Sequence, residues 1–154
     1  MSKKITSIAV SGYFDPIHVG HIEYLELAKK LGNKLIVIVN NNHQCTLKKG
    51  KPFMDELDRV RIVRSLGMVD DVFLSIDNDK SVCKSLEELK PDIFANGGDR
   101  ATSEVPESAV CRKYNIKMVD GLGEATGPFG PMESSSAALK ILIALSEGTE
   151  KSKV

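Results

Sequence analysis

The sequence predicts one doubly wound α/β domain, a single Rossmann-like sheet of about five parallel strands. Three observations carry this. Short β-branched runs alternate along the chain with longer segments of helical period. The short runs are almost continuously apolar, the habit of strands covered on both faces. The 154 residues leave room for one core but not for two ordinary ones.

In chain order, residues 5–10 read as the first buried strand and 35–39 (LIVIV) as the second. Residues 72–76, 93–95 and 116–119 are three further strands. Between the first two strands, 21–31 is amphipathic: Tyr24, Leu27, Ala28 and Leu31 make the apolar stripe, while Glu23, Glu26, Lys29 and Lys30 face water. Glu26 and Lys30 form a favourable i,i+4 pair, and Gly32 reads as the C-terminal cap. A second helix spans 55–66 with Val60, Val63 and Leu66 inward. Residues 81–90, with Val82, Cys83, Leu86 and Leu89 at helical spacing before Pro91, form the third helix, and 106–114 form the fourth. The last, 134–146, precedes a charged tail over 147–154, so the domain is expected to occupy 1–146. No repeat or long linker divides it.

Composition excludes several classes. Lys plus Arg total 21 and Asp plus Glu total 21, so the chain lacks the basic excess of a general nucleic-acid or anionic-membrane binder. Its apolar runs fall far short of the roughly 20 residues a membrane span requires. Met1-Ser2-Lys3-Lys4 leads directly into strand, with no signal-type core. The three cysteines are widely spaced and not in CxxC pairs, which argues against a disulfide framework or a zinc site and for a reducing, cytoplasmic setting. Cys45 reads as a loop cysteine, Cys83 and Cys111 as core.

Ligands of doubly wound sheets bind beyond the C-terminal strand ends, so loops after strands come first. The most informative is Ser11-Gly12-Tyr13-Phe14-Asp15-Pro16-Ile17-His18-Val19-Gly20-His21, between the first strand and its helix. Two histidines flank a glycine where free backbone N–H groups and the helix dipole favour an anion. Gly20 would let a phosphate approach the backbone. His18 and His21, one turn apart, can both donate to the same phosphate oxygens. The same residues also suit plain helix capping. The order strand, turn, Asp15-Pro16, HxGH, helix favours phosphate chemistry.

The stretch GYFDPIHVGH resembles the signature of the cytidylyltransferase-like nucleotidyltransferase superfamily, whose members join an NTP to a phosphorylated small molecule and release pyrophosphate. Within it the chain is most similar to the heptose 1-phosphate adenylyltransferase domain and to glycerol-3-phosphate cytidylyltransferase, from Ile5 to about Leu145. The resemblance implies catalytic roles for His18, His21 and Lys49, with Lys48 and Lys51 as competitors in a run that otherwise reads as a solvated basic loop. It places Gly12, Tyr13, Phe14 and Gly20 at the nucleotide. In the LKPD…GGD segment, Asn96, Gly97, Gly98 and Asp99 would frame base and ribose, although GGD is also a common turn. Ser134, Ser135 and Ser136 would hold the triphosphate beyond what a helix cap needs. Asp15, Arg59 and Arg100 would lie near substrate. Residues 121–132, longer and richer in Gly and Pro than in relatives, read as a lid or a substrate-specific insertion. The chain carries no GxSxG or Walker pattern, and the reaction needs no covalent nucleophile.

The implied partners are an NTP and a small phosphorylated acceptor, a sugar or polyol phosphate, with Mg²⁺ entering on the NTP and held mostly by water. No nucleic acid or membrane partner is expected, and the relatives imply a homodimer. The GGD segment favours ATP over CTP. FAD synthetase or phosphopantetheine adenylyltransferase, a non-catalytic nucleotide sensor and a flavodoxin-like binding module are the competing readings.

Overall fold

The computed structural model describes residues 5–96 and 106–119. Its strands are β1 (Ser7–Gly12), β2 (Lys34–Val39), β3 (Asp71–Leu74), β4 (Ile93–Ala95) and β5 (Lys117–Val119). Its helices are α1 (Val19–Lys29), α2 (Asn42–Lys49), α3 (Glu56–Arg64), α4 (Cys83–Leu89) and α5 (Pro106–Lys113). The strands pair in the order β3-β2-β1-β4-β5, and all four pairings are parallel. The expected doubly wound sheet is therefore present. The chain winds outward from β1 through β2 to β3, then crosses to β4 on the other side. The C-terminal end of β1 is thus the switch point, where the fold leaves a crevice.

The pleat divides each strand between two cores. Ile8, Val10, Leu35, Val37, Val39 and Ala95 face α1 and α3, meeting Tyr24, Leu25, Ala28, Val60 and Val63. Ala9, Ile38 and Phe94 face α4 and α5, meeting Val82, Leu86, Cys111 and Ile116. Ile8, Val10, Leu35, Val37, Ile38 and Val39 retain no exposed surface. Each such side chain stabilises the fold by about 1.5–3 kcal/mol through burial.

Four local expectations are corrected. In α1 the buried stripe is His21, Tyr24, Leu25 and Ala28, so Leu25 stands where Leu27 was expected. The α1 C-cap is Lys30 in right-handed geometry, not Gly32. Gly32 is glycine for space: a Cβ there would lie 2.5 Å from Ile8 Cδ1 and 2.6 Å from the Thr6 carbonyl. The basic run Leu47–Lys49 is the last turn of α2 rather than loop, with Gly50 following at φ 93°. Cys45 is accordingly a fully buried helix residue, and burial raises its thiol pKa. The expected helix 134–146, the tail, the 121–132 insertion and the domain boundary at 146 lie outside the described residues.

Candidate active site

The loop from β1 to α1 ends in a reciprocal cap made by two imidazoles. His18 is the N-cap of α1, in extended geometry (φ −145°, ψ 176°). Its Nδ1 accepts from the Gly20 N–H at 3.1 Å, and His21 Nδ1 accepts from the His18 N–H at 3.0 Å. This is the capping box that Ser/Thr and Glu/Gln usually supply. An accepting Nδ1 carries no proton, so each neutral ring carries its proton on Nε2. The ring centroids stand 3.8 Å apart, and the His21 ring lies 4.8 Å from that of Phe14.

The surroundings keep both rings neutral. Burial lowers the His18 pKa. Burial first, then the electrostatic interactions with His18, Lys49 and Lys48, bring the His21 pKa down to about 3. Among the described residues, His18 Nε2 is the buried side-chain polar atom without a hydrogen-bond partner. A buried donor left unmade costs about 1–3 kcal/mol, so this atom calls for an acceptor beyond the described residues.

Lys49 reaches this loop from the last turn of α2. Its ammonium donates to the carbonyl and to Oδ2 of Asp15, both at 2.9 Å. Lys48 lies over the Tyr13 ring, 4.3 Å from its centroid, with Lys49 at 5.9 Å. Consecutive lysines on a helix end thus bracket one aromatic residue, and both raise the positive potential at His21.

Several expected ligand contacts are turned inward. Asp15, expected near substrate, is fully buried; its Oδ1 and Oδ2 accept the backbone N–H of Met54 and Phe53 at 2.6 and 2.8 Å, and its other partner is Lys49. Arg59, also expected at the substrate, is fully buried and donates only to the chain itself: to the carbonyls of Met54, Tyr13 and Asn40 and to Asn42 Oδ1. Gly12 is glycine because a Cβ would meet the Phe14 ring at 2.9 Å, and its carbonyl takes the Asn40 N–H. Phe14, at φ 50°, places that ring in the core. The Gly20 N–H is taken by His18 Nδ1, so that backbone amide is not left for a phosphate. Asn96 follows β4, its N–H on the Val119 carbonyl. The Tyr24 hydroxyl ties α1 to the Ala95 carbonyl at the same edge. Gly97, Gly98, Asp99, Arg100, Ser134, Ser135 and Ser136 lie outside the described residues.

Sequence reasoning missed α2 and its cap. Asn41 and Gln44 form a second reciprocal box, with the Gln44 N–H on Asn41 Oδ1 at 2.9 Å and the Asn41 N–H on Gln44 Oε1 at 3.0 Å. The N-x-x-Q spacing is itself a helix-start signature.

A parallel sheet with an imidazole pair and a lysine beside its switch point is here the frame of a nucleotidyltransferase, the class to which the chain's family and relatives belong. The chain belongs to the cytidylyltransferase-like family, which matches residues 9–120. It is 45% identical over 109 residues to an FAD synthase of Archaeoglobus profundus, covering 71% of this chain and 68% of that protein. It is 35% identical over 116 residues to the bifunctional protein HldE of Streptomyces coelicolor, covering 74% of this chain but 25% of that one. The crystal structure of a lipopolysaccharide core biosynthesis protein from Thermoplasma volcanium superposes with a TM-score of 0.65 at 30% identity, covering 76% of this chain and 96% of that one.

Proposed function

We propose that this enzyme transfers the nucleotidyl group of an NTP, ATP in preference to CTP, to a small phosphorylated acceptor and releases pyrophosphate. The observation that carries the reading is the buried, unpartnered Nε2 of His18 at the head of α1. An acceptor phosphate oxygen attacks the α-phosphorus in line as the bond to the β-phosphate oxygen breaks. No protein nucleophile takes part, so positioning and charge stabilisation supply the catalysis. His18 and His21 donate from Nε2 to α- and β-phosphate oxygens, and Lys49 neutralises the developing charge. Mg²⁺ arrives as part of the NTP. Its ligands there would be mostly water and phosphate oxygens. The backbone after β4 and the serines at 134–136 would hold the base and the distal phosphates.

A sugar or polyol phosphate is the first acceptor reading, supported by the GGD segment and by the similarity to HldE and to the lipopolysaccharide core protein. The similarity to FAD synthases favours a second, FMN, whose terminal phosphate would attack ATP in the same geometry. The chain spans a quarter of HldE and about two thirds of the FAD synthase, so neither whole-protein activity transfers without a test. Among the described residues no helix is long and apolar enough to cross a membrane. A homodimer in the cytoplasm is the expected setting.

The test is a pyrophosphate-release screen of ATP and CTP against sugar, polyol, amine and nucleotide phosphates with FMN included. Release that depends on one acceptor class supports the reading and identifies the acceptor. Nucleotide binding without release for any pair would make the protein a sensor. Bound flavin with indifference to NTP would make it a binding module.

A further inference from the structure

Arg59 has no exposed surface, and its acceptors come from the segments that border the imidazole pair. Nη1 donates to the Tyr13 carbonyl at 2.8 Å and to the Asn40 carbonyl at 2.5 Å, clamping the loop after β1 to the loop after β2. Nε donates to the Met54 carbonyl at 3.0 Å, and Nη2 to Asn42 Oδ1 at 3.0 Å, on the first residue of α2. From these contacts two short chains lead into the site. Tyr13 precedes Phe14, whose ring lies against His21. Met54 donates its N–H to Asp15 Oδ1, and Asp15 Oδ2 holds the Lys49 ammonium. The imidazoles and the lysine therefore share one anchor.

We propose that Arg59 is a positioning residue for nucleotidyl transfer: it fixes the separation between the His18–His21 pair and Lys49 without touching substrate. The proposal rests on the nucleotidyl-transfer reading above. Two features distinguish it from mere filling of the core. First, the acceptors are all uncharged oxygens, and the ion pairs among the described residues are Lys29–Asp70 and Lys49–Asp15, so the guanidinium has no carboxylate contact. Burying a charge with no carboxylate in direct contact works against folding, and an apolar side chain would fill the volume at less cost. Second, a planar guanidinium can bind four oxygens from three chain segments at fixed mutual angles, which a single ammonium cannot. That rigidity suits a site where a shift of about 1 Å can cost about 10²-fold in rate.

The experiment compares wild type, Arg59→Lys and Asn42→Ala by thermal unfolding, by kcat and KM for MgATP in pyrophosphate release, and by the imidazole NMR signals of His21. Arg59→Lys keeps the charge and loses the fork. At a temperature where it is fully folded, kcat should fall by about tenfold to 10²-fold while KM for MgATP stays near wild type, and the His21 signals should shift. Asn42→Ala, which removes one arm's acceptor, should give the same pattern more weakly, and it carries the test if Arg59→Lys does not fold. A folded variant with wild-type kcat and unmoved His21 signals would overturn the proposal. If wild type itself released no pyrophosphate, the functional reading would fail, and the His21 signals would still decide whether Arg59 holds the imidazoles in place.

Discussion

Two helices of this protein begin with the same hydrogen-bond device built from different residues. At α2 the box is Asn41 and Gln44, at α1 it is His18 and His21. In α2 the atoms left over from capping are all engaged: Asn41 Nδ2 donates to the carbonyls of Ser75 and Asp77, and Gln44 Nε2 to those of Asp79 and Ser81. In α1 the far atom of His18 is buried and meets no partner. Amides therefore suffice where the fold needs only a cap and a brace. Imidazoles at the switch point add what an amide cannot: a neutral N–H donor displaced further along the ring, with its tautomer fixed by the cap.

The sharpest way to break this comparison is to transplant the α2 box into α1. The double variant His18→Asn, His21→Gln keeps both cap acceptors and removes both far nitrogens. Its unfolding midpoint should stay close to wild type, since each amide satisfies the same backbone N–H. Turnover should fall by about 10³-fold or more. Near-normal turnover would reduce the histidines to caps.

The reciprocal change tests the brace. Gln44→His can still accept the Asn41 N–H through Nδ1, but it cannot serve the Asp79 and Ser81 carbonyls together. Chemical denaturation should show a loss of about 1–3 kcal/mol, with turnover per folded molecule little altered. A large catalytic loss at unchanged stability would contradict the division of roles.

The two boxes also differ in acid. Amide oxygens do not titrate, whereas His21 has a folded-state pKa brought down to about 3 by burial first. Above its ordinary value near 6.5 the ring is neutral in both states, and its contribution to stability is complete. As the pH falls below that value, the unfolded chain takes up a proton that the folded chain refuses. Stability should then drop by about 1.4 kcal/mol per pH unit until the folded ring also titrates near 3. His18 shifts in the same direction. Denaturation from pH 7 to 4 should show a shallower acid loss for His21→Gln than for wild type. Equal slopes would mean the ring is not held neutral.

The contrast between strands and side-chain roles shows how much the sequence carried. The runs at 35–39 and 93–95 were legible because burial on both faces demands near-continuous apolar residues. The HxGH spacing was legible because it sits between a strand and an amphipathic helix. What could not be read was direction. A charged residue near a phosphate site looks the same whether it faces a ligand or other groups of the protein, and Arg59 and Asp15 are both engaged by the protein itself. The α2 helix was hidden because Lys48, Lys49, Gly50, Lys51 and Pro52 dominate its end, whereas what fixes its start is a reciprocal amide contact. The proton positions on His18 and His21 follow from cap geometry, which no residue spacing specifies.

The central claim is that the cap holds both rings as neutral Nε2–H donors and that polyphosphate is their acceptor. Nitrogen-15 NMR of the histidine rings, without and with saturating MgATP, tests it most directly. The account predicts unprotonated Nδ1 and protonated Nε2 on both rings at neutral pH, with MgATP moving the Nε2 signals while Nδ1 keeps its cap. Protonated Nδ1 on either ring, or Nε2 signals indifferent to MgATP, would contradict it.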